Sequence, residues 1–103
     1  MGQPEINLKH DTGKNWQIYI ILCSDGSLYT GITTDIKRRF AQHLNGTGAK
    51  YFRGRSPRSL VYLENDHDRS SAGKREVQIK KLGRVAKQHL IASTDNPCEN
   101  KSL

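Results

Sequence analysis

Trp16-Gln17-Ile18-Tyr19-Ile20-Ile21-Leu22-Cys23, then Ser24-Asp25-Gly26-Ser27, then Leu28-Tyr29-Thr30-Gly31-Ile32-Thr33 is the stretch that decides the fold. Two runs rich in β-branched and aromatic residues flank a short polar segment with a glycine, the pattern of a β-hairpin. Alternation along the first run places Trp16, Ile18, Ile20 and Leu22 on one face and Gln17, Tyr19 and Ile21 on the other. Both sets are largely apolar, so the first strand is predicted to be central and covered on two sides.

Working outward, Thr34 and Asp35 are good N-cap residues, Ile36, Phe40 and Leu44 recur every four residues, and Asn45-Gly46 supplies a stop. These features predict a helix over about 35–45. Gly46 to Arg58 is punctuated by glycine, carries four basic and two aromatic residues, and is incompatible with a regular helix. Ser59 to Glu64 reads as a third strand, ended by the turn-rich Asn65-Asp66-His67-Asp68. Ser70 or Ser71 then caps a helix running to about Leu82, Gly83 breaks it, and Arg84 to Ala92 forms a further short helix.

At 103 residues there is room for one small domain, and the apolar residues are concentrated between Trp16 and Ile91. Residues 1–14 are expected to be a flexible arm, 15–92 the domain, and 93–103 a flexible tail. No apolar run approaches the roughly 18 residues of a membrane span, and Met1-Gly2-Gln3-Pro4-Glu5 lacks a signal-peptide pattern, so no membrane association and a cytoplasmic location are expected. Cys23 and Cys98 have neither disulfide-framework nor zinc spacing and read as free thiols.

Seventeen Lys and Arg against ten Asp and Glu give a net charge of +7 and an isoelectric point near 9.7. That excess favours a polyanionic partner, because each phosphate neutralised releases counterions, although a basic surface also serves solubility alone. Charge by itself does not choose between the two.

Helix geometry narrows the candidates. At about 100° per residue, Ile36, Phe40 and Leu44 span about 80°, with His43 about 60° and Arg39 about 100° from the centre of that stripe. Arg38 lies on the far side, whereas Arg39 and His43 flank the stripe one turn apart. On the second helix, Ala72, Ile79, Leu82 and Ala86 form a similar stripe with Glu76 at its rim. Glu76 is the only acid between Asp68 and Asp95, and it reads either as the partner of Lys80 at i, i+4 or as a metal ligand facing a cleft.

Phosphodiester hydrolysis needs an activated water, neutralisation of charge on the phosphate oxygens, and help for the leaving oxygen. Arg39 suits the second task through its permanently charged donor fork, and His43 or a tyrosine suits the first or third. One carboxylate holding a largely hydrated Mg²⁺ matches that ion's reluctance to shed water. A tyrosine base is costly: with a free pKa of about 10 its phenolate lies about 4 kcal/mol uphill at pH 7, so a cation must sit beside it. Taken singly, Tyr19 and Tyr29 also fit half-buried strand positions and Gly31 a site of close packing.

Together, Gln17-Ile18-Tyr19, Tyr29-Thr30-Gly31, the run Thr33-Thr34-Asp35-Ile36-Lys37-Arg38-Arg39-Phe40-Ala41-Gln42-His43, the segment Gly48 to Pro57 and the helix Lys74-Arg75-Glu76 to Leu82 resemble the GIY-YIG nuclease superfamily, in particular its small stand-alone bacterial members. The resemblance covers about Trp16 to Ala92. It implies an α/β (α+β) domain, a three-stranded antiparallel sheet flanked by helices, and divalent-metal-dependent cleavage of DNA. It further implies Tyr19 as general base or its partner, Tyr29 as the residue that positions water, Arg39 on the scissile phosphate, His43 in proton transfer, and Glu76 as ligand of Mg²⁺ or Mn²⁺. Gln17 stands where the motif has its first glycine, and Thr30 where it has its middle isoleucine; neither change removes a reactive group.

Larger relatives attach separate DNA-binding domains, so the grip here is expected from Lys50, Arg53, Arg55 and Arg58 with Lys74, Arg75, Lys80 and Lys81, weak, salt-sensitive and structure-selective. The expected substrate is branched, nicked or single-stranded DNA in repair or processing, with RNA left open and a targeting protein as a further partner. The alternative is a nucleic-acid-binding module that retains the site with little or no cleavage, or a protein-interaction adaptor.

Overall fold

The computed structural model describes residues 14–93 and 96–98, so the arm expected over 1–14 lies outside the described residues except for Lys14. In chain order the elements are β1 (Trp16–Cys23), β2 (Leu28–Thr33), α1 (Ile36–Asn45), a 3-10 turn (Lys50–Arg53), β3 (Pro57–His67), α2 (Arg69–Lys80) and α3 (Arg84–Ile91). The strands form one antiparallel sheet in the order β2-β1-β3, with the doubly apolar β1 at its centre.

The alternation along β1 divides the core. Ile18 and Ile20 pack with Tyr62, Ala72 and Ile79 beneath α2 and α3, while Tyr19, Ile21 and Cys23 pack with Phe52, Ile36 and Phe40 beneath α1 and the 3-10 turn. Each fully buried isoleucine contributes about 1.5–3 kcal/mol by leaving water, so the central strand is the main source of cohesion.

β3 departs from the expected Ser59–Glu64 strand by continuing to His67. Trp16 pairs with His67 and Ile18 with Glu64, so one extra residue is accommodated on β3, and Asp66 takes a left-handed backbone (φ 67°) that aspartate tolerates. A second bulge lies where Ile20 opposes Tyr62 and Ile21 opposes Leu60, which turns Val61 and Tyr62 together toward α2 and α3. The outer edge of β3 is covered by Asn96, whose side chain accepts from the Leu63 N–H (3.2 Å) and donates to the carbonyls of Val61 (2.8 Å) and Ile91 (2.6 Å). The expectation of a loose tail over 93–103 therefore fails at Asn96 and Cys98, both buried.

Three local readings are corrected. Asp68, rather than Ser70 or Ser71, caps α2; it accepts from the Ser71 N–H at 2.7 Å while Ser71 Oγ accepts from the Asp68 N–H at 3.1 Å, a reciprocal box worth about 1 kcal/mol. Leu44 is 58 % exposed and His43 is 1 % exposed, so the buried face of α1 is turned toward His43. Leu82 and Ala86 are exposed because α2 ends at Lys80 and the chain restarts at Gly83, which voids angular extrapolation across the break.

Gln17, at the departed glycine position, links three elements. Its Nε2 donates to Asn65 Oδ1 (2.9 Å) on β3, and its Oε1 accepts from the Ile36 N–H (3.2 Å) at the start of α1. One amide thus sets the first turn of the helix that carries Arg39 and His43.

Candidate active site

Tyr19 and Gly31 are cross-strand partners in the β1–β2 ladder. A Cβ at position 31 would stand 2.5 Å from Tyr19 Oη and 2.6 Å from Cζ, so the glycine clears a path for the ring across β2. The phenol ends at α1, where Oη lies 2.9 Å from His43 Nε2. On the other side of the imidazole, a Cβ at Gly48 would overlap Nδ1, and the Ala49 N–H reaches that atom at 3.3 Å.

A backbone N–H can only donate, so His43 Nδ1 accepts and the ring proton resides on Nε2, donated to Tyr19 Oη. Burial, reinforced by the neighbouring Arg39 charge, lowers the His43 pKa from 6.5 to about 4, and the imidazole is neutral at pH 7. Burial, then the proximity of Tyr29, raises Tyr19 to about 12; the Arg39 guanidinium opposes that shift and the Glu76 carboxylate adds to it. Tyr19 thus senses Tyr29, Arg39 and Glu76 while bonded to His43.

Tyr29 completes the aromatic wall. Its ring centroid lies 6.2 Å from Tyr19, 5.5 Å from His43, 5.0 Å from Tyr51 and 5.0 Å from Phe52. Arg39, one turn before His43 on α1, donates from one terminal nitrogen to Gln42 Oε1 at 2.9 Å. Glu76 on α2 pairs with Lys80 at 3.1 Å through one oxygen, and its other oxygen has no bond among the described residues.

The expected phosphate-binding cations separate into two groups. Arg55 pairs with Asp25 at 2.7 Å, Arg75 with Glu64 at 2.9 Å, and Lys80 with Glu76. Lys50, Arg53, Arg58, Lys74 and Lys81 are exposed and join no ion pair among the described residues. Arg75 belongs to a network that sequence reading missed: Glu64 accepts from Arg75, and is bonded to Tyr62 and to His67. These groups line a 520 Å³ cavity with Leu90, Ser93 and Pro97, remote in sequence from the tyrosine motif, and they anchor α2 to β3. Nothing in the sequence signalled this network, because Arg75 meets Glu64 only when α2 packs on β3, and His67 bonds Glu64 within the bulged end of that strand.

The sequence profile of the GIY-YIG catalytic domain matches residues 15–89, the segment that contains both tyrosines, Arg39, His43 and Glu76. The chain belongs to the GIY-YIG family. That is a nuclease family, with nucleic acid as the substrate class it implies. The chain is 49% identical over 76 residues to a UPF0213 protein of Photorhabdus laumondii, covering 74% of this chain and 73% of that one. It is 51% identical over 74 residues to a UPF0213 protein of Halobacterium salinarum, 72% of this chain and 96% of the relative. The solution NMR structure of a UPF0213 protein from Bacillus halodurans is similar at a TM-score of 0.54 and 41% identity, covering 84% of this chain and 93% of that one. A GIY-YIG chain of α+β fold is therefore what the motif and the sheet both describe. Among the described residues no helix is long and apolar enough to cross a membrane.

Proposed function

We propose that this GIY-YIG domain hydrolyses DNA phosphodiesters in a divalent-metal-dependent, structure-selective reaction that serves DNA repair or processing. The observation that carries the reading is the Tyr19–His43 bond at 2.9 Å, with Tyr29 packed on both rings and the charges of Arg39 and Glu76 acting on the same phenol.

The donor set suits a hydrated ion. Among the described residues no group of three or more His, Cys, Asp or Glu converges, which leaves Glu76, with one oxygen outside its bond to Lys80, as the carboxylate to hold Mg²⁺ or Mn²⁺ alongside substrate oxygens. When bound, such an ion supplies charge stabilisation at the phosphate and acidifies water.

The tyrosines take different parts in this reading. Burial raises Tyr19 to about 12 and His43 donates to its oxygen, so in this reading Tyr19 keeps its proton at pH 7. Its oxygen accepts from His43 and its own proton remains for donation, which suits it to fix a water or phosphate oxygen. Tyr29, less buried, is in this reading the tyrosine that takes a proton from the attacking water. The sequence left open whether Tyr19 is the base or its partner, and this reading makes it the partner. Arg39 supplies fixed positive charge for the phosphate, and the exposed Lys50, Arg53, Arg58, Lys74 and Lys81 supply the salt-sensitive grip.

A second reading, a nucleic-acid-binding module without cleavage, is favoured by the closed Glu76–Lys80 pair. The test is cleavage of branched, nicked and single-stranded DNA with Mg²⁺ or Mn²⁺ by wild type, Arg39→Ala, Glu76→Ala and Tyr29→Phe. Each variant is expected to lose about 10²-fold or more in rate while still binding DNA. Binding by an inert wild type supports the module; failure to bind at low salt defeats both readings.

A further inference from the structure

Tyr29 makes no side-chain hydrogen bond among the described residues, so its position is set by the rings around it. Tyr51 is one of them, at 5.0 Å between centroids. Over Tyr51 lies the Arg55 guanidinium, its central carbon 4.0 Å from the ring centroid. Arg55 is held in turn: Nε donates to Asp25 at 2.7 Å and a terminal nitrogen donates to the Tyr51 carbonyl at 2.9 Å.

Asp25 sits in the turn between β1 and β2 and accepts from the Ser27 N–H (3.0 Å) and hydroxyl (2.6 Å). A backbone bond from Ser24 N–H to Ser56 C=O (2.8 Å) and one from Ser56 N–H to Ser24 Oγ (2.9 Å) fasten the same loop to the same turn. The chain leaves that turn into β2 and reaches Tyr29 one residue after Leu28. One end of the assembly therefore fixes the start of the strand that carries Tyr29, and the other presses on its ring.

We propose that Asp25, Arg55 and Tyr51 form a positioning unit that fixes the Tyr29 phenol for catalysis, and that Arg55 serves this unit and does not grip phosphate. The inference rests on the reading of Tyr29 as a reacting group. Its chemistry is that of a planar cation lying over an aromatic face while its Nε and one terminal nitrogen are engaged by a carboxylate and a carbonyl. Fixing matters because displacement of a reacting group by about 1 Å costs about 10²-fold in rate.

The experiment compares wild type with Arg55→Ala, Asp25→Ala, Tyr51→Leu and Tyr51→Phe. It measures cleavage kinetics, the salt dependence of duplex DNA binding, and the ring resonances of isotope-labelled tyrosines. Arg55→Ala, Asp25→Ala and Tyr51→Leu are expected to lower kcat about tenfold or more, with the slope of log Kd against log salt unchanged, and Tyr51→Phe to retain wild-type kcat. The Tyr29 resonances are expected to move in Arg55→Ala and Tyr51→Leu, while those of Tyr62, on the opposite face of the sheet, stay in place. A slope reduced by about 0.9 in Arg55→Ala, with tighter binding in Asp25→Ala, would make Arg55 a phosphate ligand and overturn the proposal. Unmoved Tyr29 resonances would overturn it as well, whether or not the protein cleaves. Shifted resonances in a protein whose wild type is inert would uphold the unit while defeating the nuclease reading.

Discussion

Acidification should weaken this domain through one buried histidine. His43 is 1 % exposed, its Nδ1 accepts from the Ala49 N–H and its Nε2 proton goes to Tyr19. Protonation would put a second donor against Ala49 and a positive charge near Arg39, on a ring shielded from bulk solvent. The folded pKa is therefore held at about 4, against 6.5 for an ordinary histidine. Because the folded value is lower, the unfolded chain binds the extra proton first, and stability is present in full above pH 6.5 and lost as pH falls toward 4. The gap corresponds to about 3 kcal/mol, most of which is gone by pH 4.5. Small domains hold only about 5–15 kcal/mol in total, so the effect is large. Urea unfolding of wild type and His43→Gln at pH 7.5, 6, 5.25 and 4.5 isolates it, since carboxylate contributions are common to both. The stability advantage of wild type should shrink by about 2–3 kcal/mol across that range. Parallel pH profiles for the two proteins would refute both the tautomer and the burial argument.

The other expectations concern the two strands of the motif. Thr30 is buried, and its hydroxyl has no hydrogen-bond partner among the described residues; Thr30→Val should stabilise the domain by about 1 kcal/mol in urea unfolding, and a loss of stability would show the hydroxyl to be satisfied. Gly31→Ala should cost about 1–3 kcal/mol and most of the activity, because the added methyl meets the Tyr19 ring; an unchanged Tm would mean that the ring is free to move aside. Burial, the first cause in both, raises Tyr19 and Tyr62 to about 12. Stability linked to these phenols is present below pH 10 and lost as pH rises toward 12. The last phase of the absorbance titration at 295 nm should shrink in Tyr19→Phe and in Tyr62→Phe, and an undiminished phase in either variant would contradict its assignment.

What was legible in the sequence was whatever periodicity controls. The central strand, its two apolar faces, the hairpin and the caps of α1 follow from alternation, a four-residue turn, Asp35 and Gly46, all local features. Extrapolation failed where geometry stopped being local. Bulges in β3 carried the strand beyond Glu64, and the break at Gly83 left Leu82 and Ala86 exposed. In the candidate site, the family resemblance marked Tyr19, Tyr29, Arg39, His43 and Glu76 as a set, and the structure brings the first four around one another with the Glu76 charge acting on Tyr19. Composition could not assign the cations, because an arginine reads the same whether it faces solvent or is claimed by a carboxylate 30 residues away, as Arg55 is by Asp25.

The two tripeptides are as much a steric device as a chemical one. Tyr19 reaches His43 only because position 31 has no side chain, and the imidazole fits only because position 48 has none, so each ring is matched to a glycine on a neighbouring segment. This explains why the chain keeps glycine at the end of the second tripeptide while departing at the start of the first. Position 17 points toward β3 and α1, where a side chain has room, and glutamine there bonds Asn65 and the first turn of α1. Position 30 faces the other core, where a threonine occupies the volume of an aliphatic residue and its hydroxyl has no hydrogen-bond partner among the described residues. Substitution at 17 is compensated by two hydrogen bonds and at 30 by none, so the same motif contains one departure that supports the site's geometry and one that only costs stability.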